Sequence, residues 1–454
     1  MSIPSYPRYT DSGVAFLGHV PSHWKITRLK RVARVFASNV DKKSTDGQTP
    51  VQLCNYTDVY YNDTISAGMR FMEATATEEQ IARFTLRAGD TIITKDSETA
   101  NDIAVAAYVP DDLPGVICGY HLSMVRPQDN VDGAFLKRYF DSAFAKATFE
   151  VRANGLTRVG LGQYALDNAA IALPPQCEQS QIAAFLDRET AKLDELVEEQ
   201  RQLIELLKEK RQAVISHAVT KGLNPSAPMK GSGVNWLGEV PAHWQVSPIG
   251  KAAKLESGHT PSRSRPEYWE DCVHPWFGLA DVWQIRDGTR DYVEVTKERV
   301  SDLGLANSSA RMLPAGTVML SRTASVGFSA ISAVPMATTQ DFANWICGEN
   351  LLPEYLLFSL RSMRPEFDRL MMGSTHNTIY MPEIAKLTIA VPPLQEQHEI
   401  VEFVKDQRKT LDDLSSAATT AMSLLRERRS ALISAAVTGK IDVRSLVERQ
   451  DEAA

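Results

Sequence analysis

Cysteine is scarce in this chain of 454 residues, with five in all (Cys54, Cys118, Cys177, Cys272 and Cys347), widely separated and without a CxxC pair. That excludes a disulfide framework and a zinc-ribbon site, and predicts reduced thiols in a cytoplasmic protein. No stretch approaches the roughly 18 apolar residues of a membrane span. The opening "MSIPSYPRYTDSG" has no basic region followed by an apolar one, so no secretory leader is predicted. Histidines 19, 23, 121, 217, 243, 259, 274, 376 and 398 fall into no HExxH or other metal-ligand spacing.

Catalytic signatures are missing too. There is no GxxxxGK[ST] phosphate loop, since "AVTGK" lacks the upstream glycine and follows a helix, and "GLG" at Gly160–Gly162 is a lone G-x-G. An amino-methyltransferase places a polar acceptor before Pro-Pro, whereas "LPPQ" and "VPPL" have leucine and valine there. No GxSxG elbow and no carboxylate pair with a lysine is found. These absences disfavour an enzyme and predict a binding protein with no cofactor, no metal and no catalytic residue of its own. Positive charge is also in deficit. Forty-nine Lys and Arg against 56 Asp and Glu give a net charge of -7, which by itself argues against a nucleic-acid partner. Net charge hides clustering, however. "KITRLKRVAR" (Lys25–Arg34) is strongly basic, and a solvated helix face and a phosphate-contacting patch both remain open for it.

What the chain does contain is itself, twice. "SGVAFLGHVPSHW" (Ser12–Trp24) returns as "SGVNWLGEVPAHW" (Ser232–Trp244). A longer segment, Ala172–Leu223, aligns without a gap with Ala390–Ile441; both copies start with Pro-Pro, then Glu-Gln, and end in Ile-Ser-x-Ala-Val-Thr. An internal repeat of this size decides the architecture. Each copy is predicted to be one long helix, uninterrupted until Gly222 or Gly439. Ile182, Leu186, Leu193, Leu196, Leu203, Leu207 and Val214 alternate three- and four-residue spacing, and Ile400, Val404, Leu411, Leu414, Ala421, Leu425 and Leu432 keep the same register. So narrow a seam calls for a partner helix, and the other copy is the economical one. About 40 residues make a rod on the order of 60 Å.

Between the repeats the halves diverge. The expected organisation is a repeat segment (1–24), a variable domain (25–171), a central helix (172–223), a linker and second repeat segment (224–244), a second variable domain (245–389), a distal helix (390–441) and a tail (442–454). Segments such as "GDTIITK", "IAVAAYV", "GTVMLSR" and "SAISAV" make both variable domains mixed α/β. The fold class is therefore α+β, with two such domains separated by two long antiparallel coiled-coil helices under a pseudo-twofold. Trp269, Trp276 and Trp283 are read as core.

The phrases "WLGEVPAHW", "LPPQCEQSQIAAFL", "VPPLQEQHEIVEFV", "ISHAVTKGL" and "ISAAVTGKIDV" resemble the specificity subunits of type I restriction-modification systems, in the same order along nearly the whole chain. The resemblance implies a non-catalytic, cytoplasmic subunit whose two target recognition domains each read one half of a bipartite double-stranded DNA target. The helices would set the unspecified spacer and dock two methyltransferase subunits, which carry S-adenosylmethionine and methylate adenine at N6. Restriction subunits would add ATP- and Mg-dependent cleavage. A fused enzyme, a purely structural coiled-coil adaptor, and an analogous subunit of another defence system remain as alternatives.

Base edges and phosphates are met by Arg, Lys, Asn, Gln, Ser and Thr. On that ground Lys42, Lys43, Asn55, Tyr56, Lys95, Ser97 and Arg158 are the DNA-contact candidates of the first domain. Those of the second are Thr260, Ser262, Arg263, Arg265 and Arg286, then Arg322, Thr323, Ser325, Gln340 and His376. Arg158 and His376 occupy matching places shortly before each long helix. For helix pairing the expected residues are Leu186, Leu193, Leu196, Leu203 and Leu207 with Val404, Leu411, Leu414, Leu425 and Leu432.

Overall fold

A computed structural model describes residues 3–371 and 377–447. The chain divides into two compact units, Met1–Arg201 with Thr419–Ala454, and Gln202–Ala418. The central helix, Gln176–Lys221, and the distal helix, Leu394–Val437, each contribute a segment to both.

The first unit holds two four-stranded sheets. One is antiparallel, in the order Ala106–Tyr108, Thr91–Thr94, Leu122–Pro127, Ala33–Ala37. The other is mixed, in the order Met72–Ala76, Thr49–Cys54, Leu113–Cys118, Thr85–Leu86. Phe36, Leu53, Phe84, Ile92, Ile117 and Met124 form an apolar cluster between strands of both. Burial pushes the Cys54 and Cys118 thiols within it well above their ordinary range. A second cluster brings Phe135, Leu136 and Phe149, from helices Gly133–Asp141 and Ala143–Glu150, onto Ile182, Phe185, Leu186, Ile433 and Val437 of the long helices.

The second unit repeats the plan with different dimensions. Its main sheet has five strands, in the order Ala253–Ser257, Phe342–Cys347, Val318–Ser321, Ser329–Ser332, Tyr292–Val293. A smaller one has three: Glu298–Val300, His274–Phe277, Ala337–Thr338. Helix Pro353–Ser362 packs Tyr355, Leu356 and Phe358 into a core with Ile215, Val219, Ile400 and Val404.

In both units the long helices run antiparallel. Asp194 of the central helix pairs with Arg429 of the distal one at 2.9 Å, while Ile182 and Leu186 share a core with Ile433 and Val437. In the second unit Arg211 lies 3.7 Å from Asp412, and Ile215 and Val219 meet Ile400 and Val404. The two ion pairs are the same pair with the helices exchanged.

Three expectations need correction. First, the repeats do not begin as helix: Ala170–Leu173 is a strand on Lys25–Arg28, and Thr388–Val391 is a strand on Gln245–Pro248. The following proline keeps Leu173 and Val391 out of the α region, and the helices start only after Pro-Pro. Second, the basic stretch from Lys25 is no helix face. It is strand Lys25–Arg28, a single turn of 3-10 helix Leu29–Arg31, and strand Ala33–Ala37. Third, the leucine seam is not covered throughout. Leu186, Leu193 and Val404 are buried and Leu207, Leu411, Leu425 and Leu432 half-buried, but Leu196, Leu203 and Leu414 are 42, 40 and 50% exposed. The distal helix reads Ser-Ser-Ala-Ala-Thr-Thr-Ala over 415–421, side chains too short to cover a leucine.

The duplicated phrase turns out to be a joint. In each copy it forms a small hairpin, Tyr9–Asp11 with His19–Pro21 and Met229–Gly231 with Glu239–Pro241. In the first, His23 Nε2 lies 2.9 Å from Glu178 Oε2 and Trp24 Nε1 donates to Glu178 Oε1 at 3.1 Å, with Tyr6 donating to the same buried carboxylate. In the second, His243 Nε2 lies 2.8 Å from Glu396 Oε2. These glutamates are the Glu of the repeated Pro-Pro-x-x-Glu-Gln, so the two repeated motifs answer each other. The hairpins also cap helix ends. Gly439, at φ +71°, lies so close to Pro21 and Trp24 that a Cβ would sit 2.3 Å from Pro21 Cδ. Gly222, at φ +72°, faces Trp244 and Pro241 in the same way.

Candidate nucleic-acid interface

The polar residues of the first variable domain gather where strand Thr91–Thr94 ends. The backbone N–H of Lys95 donates to the His121 carbonyl at 3.1 Å, and its own carbonyl accepts from the Leu161 N–H at 2.8 Å. This fastens the tight turn 119–122, closed by the Leu122 N–H on the Gly119 carbonyl at 3.1 Å, beside strand Val159–Gly160. Around it His121 Nδ1 lies 2.9 Å from Asp96 Oδ2, and Arg158 Nη2 lies 3.5 Å from Asp96 Oδ1. The Lys95 ammonium donates to the Ser38 carbonyl at 3.3 Å and stands 4.5 Å from the centre of the Tyr120 ring. Asn55 caps the short helix Tyr56–Tyr60, where Tyr56 and Tyr60 stack at 5.5 Å. Tyr60 donates to Asp102 at 2.7 Å, and that carboxylate pushes its hydroxyl up to about 12. Burial raises the Tyr56 hydroxyl, against a hydrogen bond to Ser97 that lowers it.

Of the expected residues, Asn55, Tyr56, Lys95 and Arg158 thus lie in one neighbourhood. Ser97 is buried and hydrogen-bonded to Tyr56. Lys42 and Lys43 are exposed on the loop 38–48. Tyr120 and His121 belong to the cluster although nothing in the sequence singled them out.

The second domain builds the same frame from other side chains. The Arg322 N–H donates to the Asp341 carbonyl at 2.8 Å and its carbonyl accepts from Ile379 at 2.9 Å; the Phe342 N–H closes a turn on the Thr339 carbonyl at 3.2 Å. Backbone for backbone, Arg322 stands where Lys95 stands, and Gln340 where Tyr120 stands. The Arg322 guanidinium donates to the carbonyls of Gln340 at 2.7 Å and Ile379 at 3.3 Å and so braces the turn. The Gln340 side chain is exposed and accepts from the Thr260 hydroxyl at 2.5 Å. Thr323 bridges to Thr378, and Ala324 beside it adopts φ +59°, rare outside glycine. Ser325 is half-buried in the same loop.

A second patch of this domain carries Ser262, Arg263 and Arg265. Arg263 lies 3.7 Å above the Trp269 ring and pairs with Glu298; Arg265 is 3.7 Å from Glu267. Arg286 is elsewhere, on the wall of a cavity of about 860 Å³ with Arg361, Arg364 and Lys208. His376 lies outside the described residues. Trp276 is core as expected, but Trp283 is 69% exposed, because Val282 and Ile285 take the buried side of its short helix.

Each domain is clamped to its helix segments by charge. Arg429, besides Asp194, reaches Asp63 Oδ2 at 2.8 Å, where Lys137 also lies at 3.0 Å. In the second unit Arg211 donates to the Asp287 carbonyl at 3.2 Å, and Arg408 and Arg361 converge on Asp291 at 2.7 and 2.5 Å. Burial pushes the Arg361 guanidinium down against the pull of Asp291. Among the described residues no group of three or more His, Cys, Asp or Glu could hold a metal ion, and no helix is long and apolar enough to cross a membrane.

The sequence model of the type I restriction modification DNA specificity domain matches residues 21–206 and 241–418. The specificity subunit of the type I restriction enzyme MjaVIII from Methanocaldococcus jannaschii is 21% identical over 440 residues, 94% of this chain and 95% of that protein. That of EcoR124I/EcoR124II from Escherichia coli is 29% identical over 174 residues, 37% of this chain and 40% of the relative. Two solved structures share the fold. A chain from a complex of a type I R-M system has a TM-score of 0.68 at 19% identity, covering 92% of this chain and 98% of its own. The HsdS subunit from Thermoanaerobacter tengcongensis has a TM-score of 0.56 at 19% identity, covering 93 and 98%. With a matching domain in each half of the chain, and relatives that span it from end to end, this protein belongs to the type I restriction-modification DNA specificity family.

Proposed function

We propose that this chain is the DNA-specificity subunit of a type I restriction-modification assembly, working in the cytoplasm and without catalysis of its own. Each variable domain reads one half of an asymmetric, bipartite duplex target. The antiparallel helices set the unspecified spacer and dock two methyltransferase subunits. S-adenosylmethionine binds in those partners, and ATP and Mg in restriction subunits that cleave. The observation that carries the reading is the pair of matched turns, 119–122 and 339–342, held by identical backbone bonds yet presenting different side chains. One frame with two chemistries suits two unlike half-sites. Lys42, Lys43, Arg158, Arg263, Arg265 and Arg286 supply cations for phosphates, which offsets the acidic total. Asn55, Tyr56, Thr260, Ser262, Thr323, Ser325 and Gln340 supply hydrogen-bonding groups for base edges.

The test is methylome sequencing of a host carrying this chain with its methyltransferase subunit, against one carrying the methyltransferase alone. A new N6-methyladenine motif with two unlike halves and a fixed gap is expected. Exchanging residues 25–171 should alter one half only. A complex that forms yet creates no motif would refute the DNA-reading role.

A further inference from the structure

Lys95 and Arg322 stand at the same point of the two frames, and each places its cation against the turn beside it. Lys95 caps the Ser38 carbonyl and underlies the Tyr120 ring, while Arg322 binds the Gln340 and Ile379 carbonyls. What these cations hold up differs: a tyrosine 50% exposed in one turn, an exposed glutamine in the other. We propose that the turns 119–122 and 339–342 are the base-reading tips of the two domains, and that Tyr120 and Gln340 are their specificity-determining side chains. The proposal rests on the DNA-reading function given above.

Three observations carry it. The backbone match is complete at the turn: each tip is closed by the same i to i+3 bond, hung from the same N–H, and followed by the same ladder strand, Leu122–Pro127 or Phe342–Cys347. Within this fixed frame the second residue is the exposed one in both turns, tyrosine in one and glutamine in the other, while the first and fourth are buried and the third is half-buried. Each is also oriented before any ligand arrives, Tyr120 by Lys95 and by the His121 ring at 4.7 Å, Gln340 by the Thr260 hydroxyl. Preordering lowers the entropic cost of placing a side chain against a base edge. A carboxamide offers a donor and an acceptor side by side, the match for adenine N7 and N6 in the major groove. Tyrosine offers a hydroxyl and an apolar ring, which suits a different base. Arg322 and Lys95 thereby become positioning residues.

The experiment uses the whole complex with its methyltransferase subunits. The wild-type methylome defines the target, and competition binding then compares duplexes carrying every single-base change in both halves. Gln340→Ala should reduce discrimination about tenfold or more at one or two adjacent positions of one half, leaving every other position within about twofold. Tyr120→Ala should do the same in the other half. If either variant keeps all its discrimination, or loses affinity equally for every duplex, the assignment is overturned. A wild-type complex without a motif would instead sink the function on which the assignment rests. Folding is checked through Tyr120→Phe and Gln340→Glu, which fill the same space; each should change the preferred base or its strength at the position its alanine variant blurs. Discrimination unchanged in both would count against the proposal.

Discussion

Replacing Gly439 by alanine isolates the joint between the first hairpin and the distal helix. At φ +71° an L side chain pays left-handed strain of about 1–2 kcal/mol, partly offset by about 0.4–1 kcal/mol from the stiffer unfolded chain. The larger effect is steric. The new Cβ would lie 2.3 Å from Pro21 Cδ, 2.6 Å from Pro21 Cγ and 3.2 Å from Trp24 Cη2, where carbons rest at about 3.5–4.0 Å. The hairpin must therefore retreat by more than an ångström. It is anchored by Leu17, Val20 and Trp24, all buried, each worth about 1.5–3 kcal/mol. Losing a third of that contact costs about 2 kcal/mol, for a net effect near 3 kcal/mol. Gly316→Ala is the control, since Gly316 has φ +87° but nothing within 4 Å of its Cβ position, so only the strain remains. Hydrogen exchange of peptides spanning 9–24 gives the local readout, and thermal unfolding followed through Trp24, the one tryptophan in the first unit, gives the second. If Gly439→Ala is no more destabilising than Gly316→Ala and leaves exchange in 9–24 unchanged, the close approach does not hold the hairpin.

Burial alone would raise the Asp63 carboxyl, but Lys137, Arg429 and Arg138 more than reverse this and leave it below the ordinary range. A depressed folded value means stability present above the unfolded carboxylate value near pH 4 and lost as pH falls through the folded one, so Asp63→Asn should flatten the acid limb of the first unit's stability curve. Because Asp63 is more than half exposed, a double-mutant cycle with Arg429→Gln should give a coupling of no more than about 1 kcal/mol. Glu178→Ala strands the Tyr6 and Trp24 donors in a buried site and should cost about 2–4 kcal/mol by urea unfolding, against about 1 kcal/mol for Tyr6→Phe. Lys42→Ala with Lys43→Ala should weaken DNA binding for all sequences alike and reduce the slope of log affinity against log salt by about 1–2, with the methylated motif unchanged.

The repeats were legible because their order survives without gaps: the three- and four-residue spacing predicted both helices, and the pseudo-twofold implied by the repeat order predicted their antiparallel pairing. The strands before Pro-Pro were not. Ala170–Leu173 is only four residues long, and its partner Lys25–Arg28 lies far away in the chain, so no local period announces it. The matched turns were hidden for a related reason. Lys95 corresponds to Arg322, Tyr120 to Gln340 and Leu161 to Ile379, so the spacing between matched positions shifts along the chain as loops differ in length. Sequence similarity cannot follow such a drift, while backbone hydrogen bonds keep it in register. Residue type alone also failed to separate an exposed cation, such as Lys42, from Arg322, which braces the Gln340 and Ile379 carbonyls.

The four-residue ladders joining Lys25–Arg28 to Ala170–Leu173, and Gln245–Pro248 to Thr388–Val391, give each variable domain a neck. The chain leaves the scaffold and returns to it side by side, through backbone bonds indifferent to which side chains lie beyond. A recombination event that cuts at both strands of a neck would exchange an entire domain and leave the hairpins and their glutamates untouched. The charge clamps at Asp63 and Asp291 would have to be re-matched to their arginines, and the apolar faces of Gly133–Asp141, Ala143–Glu150 and Pro353–Ser362 to the long helices they pack against. Heredity can thus shuffle one half of a recognition sequence while keeping the other, and a lineage can acquire a new target in a single genetic step.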